Sequence, residues 1–315
     1  MFCVSCGSQI GDGQNFCIHC GAKINRAPAG APAAAVTPPA PVVAAPPVPR
    51  PPVPVVAPSG WAQLPPYKDM AKLQFGQSFC QIEGLYVPVA DMNLAPGDGI
   101  YFSHHVLLWK DPQVEITTMP LAGGLKRLFA GMPLIMTQAQ GPGHIAFSKD
   151  VPGELIPVPL QPGQALDVRE HVFLVATRNV QYEWFNTGIW FQTKNGDDTE
   201  THYPVGMFMD RFAAPQSPGL LLLHAGGNTL VRELAPGQTI LVKPTALLYK
   251  DPTVGMQLHF ELPATMFRSW GSWSNRYLWL RLWGPGRVAV QSVFERMEGE
   301  SGYIRNWSQA TERQW

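Results

Sequence analysis

The sequence predicts an all-β protein, and three observations predict it. A 21-residue phrase occurs three times: LAPGDGIYFSHHVLLWKDPQV at 94–114, LQPGQALDVREHVFLVATRNV at 160–180 and LAPGQTILVKPTALLYKDPTV at 234–254. A second kind of segment, GPGHIAFS at 141–148, SPGLLLLHAGG at 217–227 and GPGRVAVQS at 284–292, places Pro-Gly before an apolar run each time. The 30 glycines and 32 prolines of the 315 residues argue against a helical bundle and for many turns.

The chain reads in three zones. Residues 1–26 hold four of the five cysteines, as the knuckles Cys3-Val4-Ser5-Cys6-Gly7 and Cys17-Ile18-His19-Cys20-Gly21. Two residues between cysteines let both thiolates reach one metal from a single turn, and glycine after the second suits the positive φ needed there. Four thiolates in a tetrahedron suit one structural Zn²⁺, so Cys3, Cys6, Cys17 and Cys20 are the expected ligands. So short a segment has too little core to fold alone, and the metal supplies the folding free energy. His19 then faces solvent, since the tetrahedron is already full. Disulfides are disfavoured in a chain with no export signal, and MFCVSCGSQI lacks the basic and apolar regions of one. A rubredoxin-like iron site would have a longer, more aromatic interval, and a thioredoxin-like motif would need a βαβ pattern. The segment is similar to short zinc-ribbon modules found at the N-termini of many bacterial proteins. Lys23 and Arg26 against Asp12 and the thiolates leave it without a basic footprint, so protein contact is expected of it rather than nucleic acid.

Residues 27–60 are a Pro/Ala/Val tract whose only charge is Arg50. It cannot bury a core and favours extended polyproline II, with a reach on the order of 100 Å at about 3.1 Å per residue. A flexible spacer is the reading; a docking site for a proline-binding partner is its rival.

Residues 61–315 have globular composition. The first and third phrases share 11 of 21 positions, against about one or two by chance, which marks an internal repeat. Pro-Gly sets a turn, with proline at its second position and glycine accepting positive φ at its third. Alternation follows: Ile100 and Phe102, Leu166 and Val168, Ile240 and Val242 point one way. The runs VLLW, VFLV and ALLY read as strands covered on both faces, closed by a polar turn before Val114, Val180 and Val254. The expected architecture is a threefold repeated β core in which 284–292 closes back onto the segment before Leu94 and removes the free edges.

GGLKRLFAGMPLIMTQAQGPGHIAFSKDVPGELIPVPLQPGQ carries a further likeness. With Gly123–Arg127, Gly141-Pro142-Gly143, Pro152-Gly153 and Leu160–Gln164, it resembles the mitochondrial-biogenesis family named for altered inheritance of mitochondria, over most of 75–300. The resemblance implies an all-β fold similar to the tryptophan RNA-binding attenuation protein, a β-sandwich or barrel arrangement, with homo-oligomerisation and no assigned reaction. Fold alone carries no RNA binding.

No hydrolase elbow, phosphate loop, zinc-protease helix or dinucleotide fingerprint is present, so no catalytic or cofactor-binding residue is expected. His104 and His105, read as strand residues, face opposite sides. His105 and His171 occupy equivalent repeat positions, with Thr245 in the third, and approach one another if the repeats meet at an axis. His144, His202, His224 and His259 stand without ligand spacing, and Glu154 and Glu170 form no acid/base pair. Cys80 reads as a small buried residue rather than a nucleophile. Residues 123–136 read as a short amphipathic turn that caps the β core; contact with lipid or a partner is the other reading. Trp270, Trp273, Trp279 and Trp283 interleave with Arg276 and Arg281, while Leu278, Leu280 and Leu282 alternate with them. This is a strand with one face in the core and one against something large; stacking on single-stranded nucleic acid is the alternative.

Charge is balanced, 23 basic against 23 acidic residues, so no global field attracts nucleic acid or an anionic membrane. No apolar run is long enough to span a bilayer, and peripheral membrane contact is not expected. The expectation is a cytoplasmic, non-enzymatic, oligomeric interaction scaffold that displays a zinc ribbon to an unidentified protein partner. A nucleic-acid-binding regulator is the alternative, and an enzyme with an unfamiliar site comes third.

Overall fold

The computed structural model describes residues 16, 62–63, 73–119, 136–149, 151–195, 197–261, 277–297 and 303–308. The chain divides into two units, Met1–Val55 and Val56–Trp315. The ribbon cysteines, the whole of the linker, residues 123–135, Trp270, Trp273 and Arg276 lie outside the described residues. The described strands all belong to the second unit.

The described residues contain no α-helix. Their strands in chain order are β1 (Ala62–Gln63), β2 (Leu73–Phe75), β3 (Ser78–Glu83), β4 (Val89–Leu94), β5 (Gly99–Ser103), β6 (Leu107–Lys110), β7 (Glu115–Thr118), β8 (Met136–Gln140) and β9 (Gly143–Ser148). Then come β10 (Gly153–Leu160), β11 (Gln164–Arg169), β12 (Phe173–Thr177), β13 (Gln181–Asn186), β14 (Phe191–Asn195), β15 (Asp198–His202), β16 (Phe208–Ala214), β17 (Gly219–Gly226) and β18 (Thr229–Leu234). The last are β19 (Thr239–Val242), β20 (Leu247–Lys250), β21 (Gly255–Glu261), β22 (Tyr277–Trp283), β23 (Gly286–Gln291) and β24 (Tyr303–Trp307). Met136, which the sequence placed in a helical turn, opens β8 instead.

Each phrase folds the same way locally. Its Pro-Gly is a β-turn: Gly97, Gly163 and Gly237 take φ of 87°, 82° and 79°. The backbone N–H groups of Asp98, Gln164 and Gln238 donate to the carbonyls of Ala95, Gln161 and Ala235. A strand runs out from that turn, a tight corner follows, and a second strand runs to another turn, where Val114, Val180 and Val254 donate to Asp111, Thr177 and Asp251. That second strand bulges at one aligned place, the register slipping between Leu107 and Trp109, Phe173 and Val175, and Leu247 and Tyr249. The skipped residue is the leucine common to all copies. A bulge breaks the strict alternation of the pleat, so the run can be apolar throughout without a register error. Burial follows for β12 and β20, which are buried along their whole length, but not for β6, where Leu108, Trp109 and Lys110 are exposed.

Pairing also recurs. The strand before each phrase pairs with the one after the later Pro-Gly, as β4 with β9, β10 with β17 and β18 with β23. Those same late strands pair on their other edge with β6, β12 and β20. The strand opening each phrase pairs with β8, β16 or β22, which in turn pair with β7, β13 and β21. Neighbouring stretches are joined by β5 against β12 and β11 against β20. The resulting sheets run β10-β17-β12-β5-β8-β7, β1-β18-β23-β20-β11-β16-β13, β2-β3-β4-β9-β6, β19-β22-β21 and β15-β14-β24.

The expected closure of 284–292 onto the segment before Leu94 is not made. β23 lies between β18 and β20, while β3 and β4 pair with each other, β2 and β9. The physical reason is that a late strand already has both edges filled by strands of its own stretch. Three buried clusters fill the spaces between sheets. One gathers Ile100, Phe102, Ile145 and Phe147, a second Leu166, Val168, Phe212 and Leu221, and a third Leu247, Leu280, Leu282 and Val288.

Candidate interaction surface

The positions singled out in the sequence separate on the sheets. Cys80 is fully buried on β3 beside Ile82 and Met92, and burial pushes its thiol well above the usual range, with Asp91 adding to it. An inert core thiol is what that environment makes. Glu154 accepts a hydrogen bond from the Thr229 N–H at 2.8 Å and Glu170 lies elsewhere, held above its ordinary pKa chiefly by burial. His144 Nδ1 stands 3.2 Å from Asp91 and its Nε2 2.7 Å from the Asn93 amide, both on the neighbouring β4. His202 meets Thr193 Oγ1 at 2.7 Å and stacks on Phe191. His224 is buried on β17 and His259 lies on β21. Among the described residues, no group of three His, Cys, Asp or Glu is placed to hold a metal ion.

His104 and His105 lie in a 3₁₀ turn, His104–Val106, rather than in the strand expected for them. The equivalent corner in the third copy, Pro244–Ala246, is also 3₁₀, while in the second His171 takes the left-handed φ of 66°. The corner needs a sharp reversal between two strands, which a strand pair of histidines could not give. His105 and His171 do come close enough for charge to act between them. Burial first, then Lys149, Arg169 and His105, push His171 below its ordinary pKa. Thr245 is buried, donating from Oγ1 to the Glu295 carbonyl and receiving Arg169 Nη1 on its own carbonyl at 2.6 Å. The Arg169–Thr245 contact ties the second stretch to the third, and Ser103 Oγ lies 3.3 Å from His105 Nδ1.

The joins between stretches were not foreseen. At the β11–β20 join Asp167 is buried and its carboxylate takes Arg211 Nε at 2.6 Å and Lys250 Nζ at 2.8 Å. At the β5–β12 join the aligned pair is Tyr101 against Ala176, and Tyr101 packs on Phe173 at 5.6 Å between ring centres. One strand of this kind at each end of the series, β6 and β19, is the outer strand of its sheet. Leu108 is 53% exposed, where the aligned Leu174 and Leu248 are both 0%. Trp109 is 47% exposed, against 0% for Val175 and 4% for Tyr249. Leu241 is 37% exposed, against 1% for Tyr101 and 0% for Asp167.

β22 lies beside β19 and carries the Trp/Arg run. Leu278, Leu280 and Leu282 enter the third core as expected, and the other face presents Tyr277, Trp279, Arg281 and Trp283. Trp279 donates from Nε1 to Glu261 at 2.8 Å and stacks with Tyr277, while Trp283 lies over Gly255, where a Cβ would strike its ring. Leu241 is directly opposite Arg281, so it shares this outward face.

A family model described as mitochondrial biogenesis AIM24 matches residues 80–293, more than half of the chain. The chain belongs to this family. The AIM24 domain spans all three copies of the phrase, and ahead of it a zinc-ribbon model matches residues 2–24, which carries zinc binding with it in general terms. A crystal structure of a Streptococcus pyogenes protein is similar to this chain at 18% identity and a TM-score of 0.50, over 69% of this chain and 94% of that one. At that identity the likeness supports the fold of the AIM24 domain alone. No curated protein matches the chain. A zinc ribbon joined to an AIM24 domain is compatible with a non-enzymatic role in protein interaction. Among the described residues no helix is long and apolar enough to cross a membrane.

Proposed function

We propose that this protein is a non-enzymatic, cytoplasmic scaffold whose β core self-associates and displays several zinc ribbons together on flexible arms. The observation that carries the reading is the pair of outer strands, β6 and β19, with apolar side chains exposed where their aligned counterparts are buried. Exposed sheet edges of this kind pair with another chain unless something blunts them. The donor set of the ribbon suits one structural Zn²⁺ held by Cys3, Cys6, Cys17 and Cys20, which closes the tetrahedron and leaves no position for a substrate. Clustering ribbons converts weak contacts with a protein partner into avid ones through effective concentration.

The test is the absolute mass of the full chain by light scattering behind a sizing column, repeated on a chain lacking residues 1–60. A fixed multiple of the chain mass in both, with protein partners kept only by the full chain, is the expected result. A monomer in both overturns the reading. The competing nucleic-acid reading rests on Trp279 and Arg281; it requires binding that weakens steeply with salt and is lost in Trp279→Ala and Arg281→Ala.

A further inference from the structure

We infer that copies of this chain join head to tail, β19 of one pairing antiparallel with β6 of the next, in the register that the chain uses twice within itself. The inference rests on the scaffold reading above and names the surface that would make it.

The internal joins fix the geometry. In one, Val175 faces Phe102 and Ala176 faces Tyr101; in the other, Tyr249 faces Val168 and Lys250 faces Asp167. Aligned positions are the same in both: the later stretch offers the strand after its bulge, the earlier one the strand after its Pro-Gly turn. The third stretch has such a strand in β19, and the first has its complement in β6. Each edge lacks what the other provides, and a second copy supplies both. Carrying the register over places Val242 opposite Trp109 and Leu241 opposite Lys110.

The side chains suit that register. Leu108, Trp109 and Leu241 pass from exposed to covered, as Leu174, Val175 and Tyr101 already are. Lys110 takes the aligned place of Lys250 but meets leucine rather than aspartate. It needs no counter-charge there, because Nζ already donates to the Asp111 and Val114 carbonyls, each at 3.1 Å. The aromatic outward face of β22 lies on the same side as Leu241. Tyr101 and Asp167, at the aligned places of Leu241 on the earlier stretches, meet Phe173 and Lys250 of the stretch that follows. That accounts for a tryptophan-rich strand in the third copy alone: it is the end that meets another chain. Such an interface is heterologous, so it closes into a ring or runs on as a filament according to its rotation.

Opposed residues alternate between wide and narrow pairs along an antiparallel ladder, so of two successive pairs one lies within disulfide range. Full-length chains carrying Trp109→Cys are mixed with chains carrying Val242→Cys, and Lys110→Cys chains with Leu241→Cys chains, then oxidised mildly. The expected product is a cross-linked species of twice the chain mass in at least one mixture and in none of the single variants alone. An oligomer by light scattering that forms no such cross-link overturns the seam while sparing the scaffold reading. A double variant that cross-links within one chain, with no change of mass, shows that the chain closes on itself and overturns it as well. A monomeric full chain removes both. As a second readout, Trp109→Asp lowers the mass to that of one chain while the far-ultraviolet spectrum is unchanged; an unchanged mass counts against the seam.

Discussion

His171 is the non-glycine residue with left-handed backbone among those described, at φ 66°, and its carbonyl receives the Lys149 ammonium. Burial, Lys149, Arg169 and His105 together disfavour its charged form in the fold. With a folded pKa below the unfolded one, the unfolded chain takes up the proton first, so stability is full above the ordinary histidine value of about 6.5 and is lost as pH falls toward the folded pKa. His171→Asn tolerates the same backbone and does not titrate. Its denaturation midpoint is therefore expected to fall less than that of the unaltered chain between pH 7 and pH 5; parallel curves would assign the acid loss to other groups. That the His105 charge acts on His171 was legible as an approach of two residues that the repeat aligned. Asp167 was not. It aligns with Tyr101 and Leu241, three unlike residues, and its role depends on Arg211 and Lys250, which lie 44 and 83 residues further along the chain. Local pattern has no access to partners at that distance.

At the scale of elements, the turns were the most readable parts. Gly97, Gly163 and Gly237 were marked by proline ahead of them, and their positive φ comes from the turn type rather than from crowding: nothing lies within 4 Å of a Cβ added at any of the three. Substitution there isolates the backbone term. Gly163→Ala and Gly237→Ala should each cost about 1–2 kcal/mol of unfolding free energy, the penalty of a Cβ in left-handed backbone, with the sheets intact. Chemical denaturation measures it, and a loss near zero would mean the turn relaxes to another type. Strand order was less readable. The bulge that lets VLLW, VFLV and ALLY be apolar throughout looks in sequence like double-sided burial, and for β6 that reading fails because nothing among the described residues covers it. The 3₁₀ corner holding His104 and His105 was hidden for a related reason: a three-residue reversal leaves no periodicity to read.

For the whole molecule, the repeat announced an all-β core but led to the wrong closure, because equal phrases do not say which strand edges remain open at the ends of a series. In the proposed assembly, self-association belongs to the β core, whose open edges β6 and β19 both lie within the stretch 80–293 that the family model matches. The same proposal makes the ribbon and its proline-rich arm independent of the core in energy. A closed cysteine site derives its folding free energy from the metal, and a Pro/Ala/Val tract acting as the proposed spacer would transmit little of that to the domain beyond it. Removing zinc with a chelator at neutral pH should therefore unfold residues 1–26, seen as loss of amide protection in that segment. The oligomer mass and the denaturation midpoint of the core should stay where they were, while partner binding falls away. If chelation instead lowers the mass, the ribbons take part in holding the copies together, and the outer strands β6 and β19 are not sufficient for assembly.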